Sequence, residues 1–248
     1  MRVLVLGGTL EARRLSLWLA ADPAFHPILS LAGRTRTPQY AGPELRVGGF
    51  GGTEGLSRFL HDEAIACVVD ATHPFALRMR AAAHEACRAR GVPYLRLERP
   101  PWRPEAGDRW HVYPDLETAL EGVVRSARRV FAVLARNQIH ALGSYPQLRF
   151  LVRTVEPLER VPANVEAIAM RPPYRFEEDL ALLRARAVEA LLFRNSGGLG
   201  GSAKIRAARV LGLAMHVIEP ALPKVEPSVA TVAEAYEWLR ALRAGRSR

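Results

Sequence analysis

Three polar side chains that could do chemistry follow a short apolar run in the first half of the chain. The run Ile65–Val69 is typical of a strand buried on both faces, and Asp70, Thr72 and His73 come next. Carboxylate, hydroxyl and imidazole groups can exchange protons or hydrogen bonds. Because open α/β sheets bind ligands at the carboxyl ends of inner strands, this position favours a functional site.

The residues after this strand also allow a second interpretation. Pro74 fits the first turn of a helix, which we expect over about 75–90. Asp70 or Thr72 would then cap that helix, and His73 would be a polar loop residue. This stretch alone leaves both interpretations open.

A glycine turn stands between the first predicted strand and the first predicted helix, at Gly7, Gly8 and Thr9. Glycine lets a backbone approach a pyrophosphate, and a helix N-terminus offers free N–H groups and the positive end of a dipole. The turn departs from the G-x-G-x-x-G fingerprint, because Glu11 and Ala12 stand where further glycines are expected. It predicts a phosphate site, with the alternative that the glycines only let strand and helix pack closely.

The end of the second predicted strand bears on cofactor choice. In dinucleotide-binding folds this end meets the adenosine ribose, where an acid selects NAD and an arginine accommodates the 2′-phosphate of NADP. Ser30, Arg34 and Thr35 supply hydroxyl and cationic donors there. They favour NADPH over the alternative of an ordinary surface loop. Gly51, in the glycine-rich run 48–52, would let a loop close over the cofactor or would serve as a flexible connector.

The second half repeats the order of strand, glycine turn and helix. The turn contains Asn195, Ser196 and Gly197, with Arg194 before it and Lys204 in the helix after it. Backbone N–H groups backed by two cations form a second plausible anion site. We then expect Arg194 and Lys204 to line a cleft and meet substrate carboxylates. The alternative is a helix cap at Ser202 beside a structural glycine turn.

Composition narrows the class of protein. The net charge of +10 over 248 residues favours an anionic partner. The sequence lacks the basic run with interleaved aromatic residues that would indicate binding to nucleic acid. The only cysteines, Cys67 and Cys87, fall in predicted buried positions, which favours a cytoplasmic protein without a metal site. No apolar run is long enough to cross a bilayer. The sequence shows no P-loop, Ser-His-Asp arrangement or paired-carboxylate motif. This absence argues against a hydrolase or a phosphotransferase.

Strand and helix patterns alternate along the chain with short turns, which predicts parallel sheets covered by helices. Predicted strands lie at Arg2–Leu6, Pro27–Leu31, Leu45–Val47, Ile65–Val69, Tyr94–Leu97, Val130–Leu134, Arg149–Val155, Glu166–Met170, Ala190–Phe193 and Ala214–Ile218. Predicted helices lie at Leu10–Ala21, after a cap at Thr53, over 75–90, and at Leu116–Ser126, Phe176–Ala187, Lys204–Leu211 and Thr231–Leu242.

The proline-rich segment Arg99–Pro104 interrupts this alternation and predicts a linker. We therefore expect an α/β protein of two Rossmann-like lobes with a cleft between them. The first lobe, 1–102, would bind NADP, and the second, 103–248, would complete the substrate cleft.

Several short motifs, in order along nearly the whole chain, resemble the precorrin-6A reductase family of cobalamin biosynthesis. The most specific is Val-Asp-Ala-Thr-His-Pro-Phe-Ala at 69–76. The others are Val-Leu-Gly-Gly-Thr-x-Glu-Ala-Arg at 5–13, Ala-Gly-Arg at 32–34, the glycine-rich loop before Glu54, Arg-Pro-x-Trp at 99–102 and Asn-Ser-Gly-Gly at 195–198.

This resemblance implies an NADPH-dependent reduction of one C=C bond of the precorrin-6A macrocycle to give precorrin-6B. The partner would be an anionic tetrapyrrole rather than nucleic acid or a membrane, and the chain would act as a monomer or small homo-oligomer. His73 titrates nearest neutrality and is the expected proton donor, unless solvent delivers the proton; Asp70 would orient it or cap the helix. A non-catalytic sensor or carrier of dinucleotide or tetrapyrrole stays an alternative.

Overall fold

The alternating strands form two six-stranded parallel sheets in the computed structural model, which describes residues 1–33, 42, 44–171, 173–220 and 225–246. The chain divides into two units, Met1–Pro100 with Leu222–Arg248 and Pro101–Ala221. The predicted α/β class with two Rossmann-like sheets is confirmed.

The first unit has the strand order β3-β2-β1-β4-β5-β12, and all its strand pairs are parallel. Its strands are β1 Arg2–Leu6, β2 His26–Leu31, β3 Glu44–Val47, β4 Cys67–Asp70, β5 Tyr94–Leu97 and β12 Ser228–Val229. Its helices are α1 Leu10–Ala21, α2 Gly52–Asp62, α3 Leu77–Arg90 and α7 Val232–Arg246. The strand order reverses between β1 and β4, which is where this fold binds dinucleotides.

Alternate residues of the inner strands face two different cores of the first unit. Val3 and Val5 pack with α1 and α7, while Leu4 and Leu6 pack with α2 and α3. β1 is therefore apolar on both faces, as expected for a central parallel strand.

The C-terminal segment corrects the expected domain division. Residues 103–248 do not form one domain, because Ala235 and Leu239 of α7 lie fully buried in the first unit's core and β12 pairs with β5. The first division point, expected after residue 102, lies after Pro100. Composition cannot show this return, since the apolar stripe of a helix does not say which sheet it covers.

The second unit has the strand order β6-β11-β10-β7-β8-β9, again with parallel pairs throughout. Its strands are β6 Arg109–Tyr113, β7 Arg129–Val133, β8 Arg149–Thr154, β9 Val165–Ala169, β10 Ala190–Arg194 and β11 Ala214–Ile218. Its α-helices are α4 Leu116–Ser126, α5 Phe176–Ala185 and α6 Ala203–Val210, and two 3-10 helices span Arg136–Ser144 and Leu199–Gly201. The sequence prediction missed β6, β12 and both 3-10 helices.

A buried histidine lies inside this second unit. His216, on β11, is 1% exposed, with Nε2 2.9 Å from the Ser126 hydroxyl and Nδ1 3.1 Å from the Tyr113 hydroxyl. Burial lowers the pKa of His216 to about 4, and the charges of His111, Arg109 and Arg125 act in the same direction. The neutral imidazole is thus the form that the fold stabilises.

Two predicted helix starts are wrong. Helix α3 begins at Leu77, because Pro74 and Phe75 form a turn in which the Ala76 N–H donates to the His73 carbonyl at 2.7 Å. Helix α2 begins at Gly52 after Gly51, which has a φ of +82°, so Thr53 lies inside the first turn and is not its cap.

Candidate active site

The glycine turn and the polar loop after β4 meet at the carboxyl edge of the first sheet. Leu6 and Asp70 are paired neighbours at the ends of β1 and β4. The Thr9 hydroxyl donates to the Ala71 carbonyl at 2.7 Å and accepts from the Ala12 N–H at 3.2 Å. Thr9 therefore caps α1 and ties its first turn to the loop that carries Thr72 and His73.

Two separate reasons account for the glycines of this turn. A Cβ at Gly7 would lie 2.7 Å from Leu29 Cδ1 and 2.9 Å from Leu31 Cδ2, so close packing against β2 favours glycine there. The Gly7 N–H donates to the carbonyl of Ser30, a residue that is itself buried. Gly8 has a φ of +117° and open space around the position of a Cβ, so its conformation, not crowding, favours glycine. Open space beside a helix N-terminus leaves room for a ligand.

Asp70 is fully buried and holds the loop after β4 in shape. Its Oδ1 accepts from the Thr72 N–H at 3.0 Å and from the Thr72 hydroxyl at 2.7 Å, and its Oδ2 accepts from the Tyr94 hydroxyl at 2.7 Å. Burial, together with the charge of Asp70, raises the pKa of Tyr94 well above its usual range, and burial raises the pKa of Cys87 to about 12. These contacts fit a carboxylate that orients the loop. They correct the idea that Asp70 or Thr72 caps α3, whose N-cap is Ala76.

His73, in the same loop, is half-buried. Its Nδ1 lies 3.3 Å from the backbone nitrogen of Phe75 and accepts that N–H. An imidazole that accepts at Nδ1 carries its proton at Nε2 when it is neutral. The loop therefore favours the Nε2–H tautomer of the neutral His73 ring.

Arg80 holds the loop from the other side and was missed by the sequence prediction. It is 2% exposed; its Nη2 donates to the Thr72 carbonyl at 3.3 Å, its Nε to the Thr72 hydroxyl at 3.4 Å and its Nη1 to Glu98 at 2.8 Å. The signal was present in the sequence, since Arg80 shares the inward stripe of α3 with Ala83 and Cys87. An arginine on such a stripe indicates a buried, paired charge.

A very small pocket, about 10 Å³ in volume, opens at this edge of the first unit. Both of its carboxylates are paired: Glu98 with Arg80, and Glu11 with Arg99 at 2.8 Å. The pocket is lined by Thr9, Glu11, Thr72, Pro74, Arg80, Leu97, Glu98 and Arg99. It thus combines hydroxyl donors with internally balanced charges.

The glycine-rich loop before α2 is organised by Arg46, which the sequence prediction also missed. The Arg46 guanidinium donates to the carbonyls of Gly48 at 2.6 Å and Gly49 at 2.8 Å and lies 3.8 Å from the centre of the Phe50 ring. Burial lowers the pKa of Arg46 from its ordinary value. Gly51 follows as the residue before α2. Arg34 and Thr35 lie outside the described residues.

In the second unit, the turn after β10 is held to Trp102 by hydrogen bonds. The Asn195 side chain is 2% exposed; its Oδ1 accepts from the Trp102 N–H at 2.9 Å, and its Nδ2 donates to the Trp102 carbonyl at 3.0 Å. The Trp102 indole N–H in turn donates to the Gly198 carbonyl at 2.8 Å. Asn195 is therefore committed to internal contacts. Gly197 and Gly198 have φ of +62° and +77°, while Arg194 and Ser196 are half-buried at the turn.

Lys204 is a buried cation of the second unit. It is 3% exposed, its Nζ donates to the Gly201 carbonyl at 2.6 Å, and Nζ stands 4.2 Å from the centre of the Trp102 ring. The ammonium group is thus engaged inside the second unit, with the Gly201 carbonyl and the Trp102 ring. This placement speaks against a contact with substrate, and the expectation that Lys204 lines the wall of a cleft stays a prediction.

Two kinds of feature are absent from the part of the chain that the structure describes. Within the ranges that the structure describes, no three or more His, Cys, Asp or Glu side chains come together as a metal site would need. No helix in the same ranges has both the length and the apolar character needed to cross a bilayer.

Comparison with known proteins identifies what the chain is similar to. Residues 2–240 match the family described as "Precorrin-6x reductase CbiJ/CobK". The chain is 40% identical to the precorrin-6A reductase of a Sinorhizobium species, over 94% of this chain and 90% of that protein. It is 37% identical to that of Rhodococcus erythropolis, over 97% of this chain and 98% of that protein. A solved structure named "CobK precorrin-6A reductase" superposes with a TM-score of 0.92 and 39% identity, covering 97% of this chain and 96% of that one.

Proposed function

Because the chain belongs to the precorrin-6x reductase family, we propose that it reduces one C=C bond of the precorrin-6A macrocycle to give precorrin-6B, using NADPH. The observation that carries this proposal is the hydrogen bond from Thr9 to Ala71, which joins the glycine turn to the loop of His73. That bond puts a dinucleotide-type turn and a titratable side chain at one sheet edge. Cobalamin biosynthesis in the cytoplasm is the setting that the proposal implies.

The residues at the start of α1 suit the diphosphate of a dinucleotide. Thr9 occupies the Ala12 N–H, while the first N–H groups of the helix have no partner within the helix itself. Gly8 leaves open space beside them. Gly7, Gly8 and Thr9 would hold the diphosphate, and a bound reduced nicotinamide would supply hydride. Thr72 shares the pocket with Thr9. Ser30 lies one residue before the end of β2 and Gly51 directly before α2, and we assign both to the cofactor as well.

Arg34 is the residue on which the choice of NADPH over NADH depends. It follows β2, where an arginine suits the 2′-phosphate of the adenosine ribose. Arg34→Ala should weaken NADPH binding by about 2 kcal/mol, the size of a lost charge-assisted pair, and leave NADH binding almost unchanged. Calorimetric titration with both nucleotides measures this, with Arg14→Ala on the exposed side of α1 as a control of equal charge. Equal losses for NADPH and NADH would exclude a role of Arg34 at the 2′-phosphate.

His73 is the side chain that we assign to proton delivery. Reduction of a C=C bond needs a proton at the carbon next to the one that receives hydride. The donor would be the imidazolium, which transfers its Nε2 proton to that carbon; in this form Nδ1 is protonated as well, so the contact from the Phe75 N–H belongs to the neutral ring. His73→Asn should lower kcat by about a hundredfold and remove one limb of the pH profile. A variant that keeps most of its kcat and the same profile would assign the proton to water.

In the second unit we propose Arg194, Ser196 and Gly197 as contacts to the acidic substrate, with Asn195 shaping the turn. Arg194→Ala should raise the KM for precorrin-6A and flatten its salt dependence, because one charge contact is lost. An unchanged KM would remove Arg194 from the site.

A further inference from the structure

An acidic residue occupies the first turn of the helix that would receive the diphosphate. Glu11 lies in that turn of α1, is 21% exposed in its side chain and lines the same pocket as Thr9 and Thr72. A carboxylate at this position interacts favourably with the positive end of the helix dipole. Its charge also repels an anion that approaches the same N–H groups. Glu11 alone would therefore oppose the cofactor.

Arg99 neutralises this acid from another part of the fold. It follows β5, its side chain is 16% exposed, and its Nη1 lies 2.8 Å from Glu11 Oε2. Glu98, the other carboxylate of the pocket, is paired in the same way with Arg80 at 2.8 Å. The helix N-terminus thus faces the pocket with its nearest acid compensated.

We propose that Arg99 sets the affinity for the dinucleotide by compensating Glu11, so that the start of α1 accepts a diphosphate. This inference rests on the proposed function, namely that a nicotinamide dinucleotide binds at Gly7, Gly8 and Thr9. Arg99 is a positioning and charge-balancing residue here, acting through Glu11. Removing Arg99 makes the charge beside the diphosphate more negative, and removing Glu11 makes it more positive.

The test is the binding of NADPH to four variants by calorimetric titration at two salt concentrations. Arg99→Gln should weaken binding about tenfold, because the carboxylate of Glu11 is then uncompensated in a partly desolvated pocket. Glu11→Gln should strengthen binding severalfold, because it removes the repelling charge and leaves the cation. The double variant should bind close to wild type, and both single effects should shrink at high salt. Arg14→Gln, exposed on α1, is the control of equal charge.

The opposite signs distinguish this role from a structural salt bridge. If the pair only stabilised the fold, Glu11→Gln and Arg99→Gln would weaken binding alike, and salt would matter little. That result, or a double variant as weak as Arg99→Gln, would overturn the inference. If wild type itself bound no NADPH, the proposed function would fail instead, which is a distinguishable outcome.

Discussion

Replacing Asp70 tests whether this side chain only shapes the site or takes part in the reaction. Asp70 makes three hydrogen bonds, two with Thr72 and one with Tyr94, and is fully buried. With both oxygens occupied and no exposed surface, it cannot touch a ligand. We therefore compare Asp70→Asn, which keeps its shape, with Asp70→Ala, which does not.

The contacts set the size of the expected effects. Hydrogen bonds to a charged group contribute about 1.5–3 kcal/mol each, but two of these three share Oδ1 and their energies are not additive. Asp70→Ala leaves the Thr72 N–H, the Thr72 hydroxyl and the Tyr94 hydroxyl without their acceptor, so we expect a loss of about 3–5 kcal/mol of unfolding free energy. Asp70→Asn keeps an acceptor for Thr72 and should cost about 1–2 kcal/mol.

Urea unfolding followed by circular dichroism measures stability, and steady-state reduction of precorrin-6A measures kcat. Asp70→Asn should keep kcat within about tenfold of wild type with an unshifted pH profile, whereas His73→Asn should lose about a hundredfold. Asp62→Asn, an exposed aspartate at the end of α2, controls for the loss of a carboxylate. If folded Asp70→Asn lost as much kcat as His73→Asn, Asp70 would take part in the chemistry and the assignment of a positioning role would be wrong.

Three further variants test the remaining structural assignments. Burial lowers the pKa of His216 to about 4 in the folded state, against about 6.5 in the unfolded state, so the full stability is present above pH 6.5. About 3 kcal/mol of unfolding free energy is lost as the pH falls to 4. His216→Gln should flatten this dependence of the unfolding free energy on pH, measured by urea unfolding. Arg46→Ala removes two hydrogen bonds to the glycine-rich loop and the contact with Phe50, so the KM for NADPH should rise severalfold; an unchanged KM would leave that loop out of the cofactor site. Lys204→Met should lower the unfolding free energy by about 1–2 kcal/mol and leave the KM for precorrin-6A unchanged, since its ammonium contacts Gly201 and Trp102; a raised KM would restore Lys204 to the substrate site.

The inner strands of both sheets could be predicted from the sequence. The inner strands β1, β4 and β10 are continuous apolar runs, and such runs are readable because both faces of a parallel strand are covered. β6 was missed because Arg109–Tyr113 is a largely exposed edge strand whose partner, β11, lies about a hundred residues later in the chain. Nothing local in its sequence indicates that pairing.

Side-chain destinations were harder to predict than the strands that carry them. Lys204 resembles an anion-binding cation by its place after a glycine turn, yet Trp102 arrives from a distant segment and covers it. Asp70 was expected in a catalytic or capping role, but its oxygens are taken by Thr72 and by Tyr94 of the next strand. Burial depends on which distant segments pack together, and spacing along the chain does not encode that.

The most direct test of the proposed function is isotope tracing through one turnover. Precorrin-6A is incubated anaerobically with the protein and NADPH labelled with deuterium at the transferred position, in H₂O, and separately with unlabelled NADPH in D₂O. We predict oxidation of one nicotinamide per macrocycle, with one deuterium in the product from the labelled NADPH and one from D₂O. If precorrin-6A and NADPH both bind but neither nicotinamide oxidation nor deuterium transfer occurs, the protein is a carrier or sensor and the proposed reduction is contradicted.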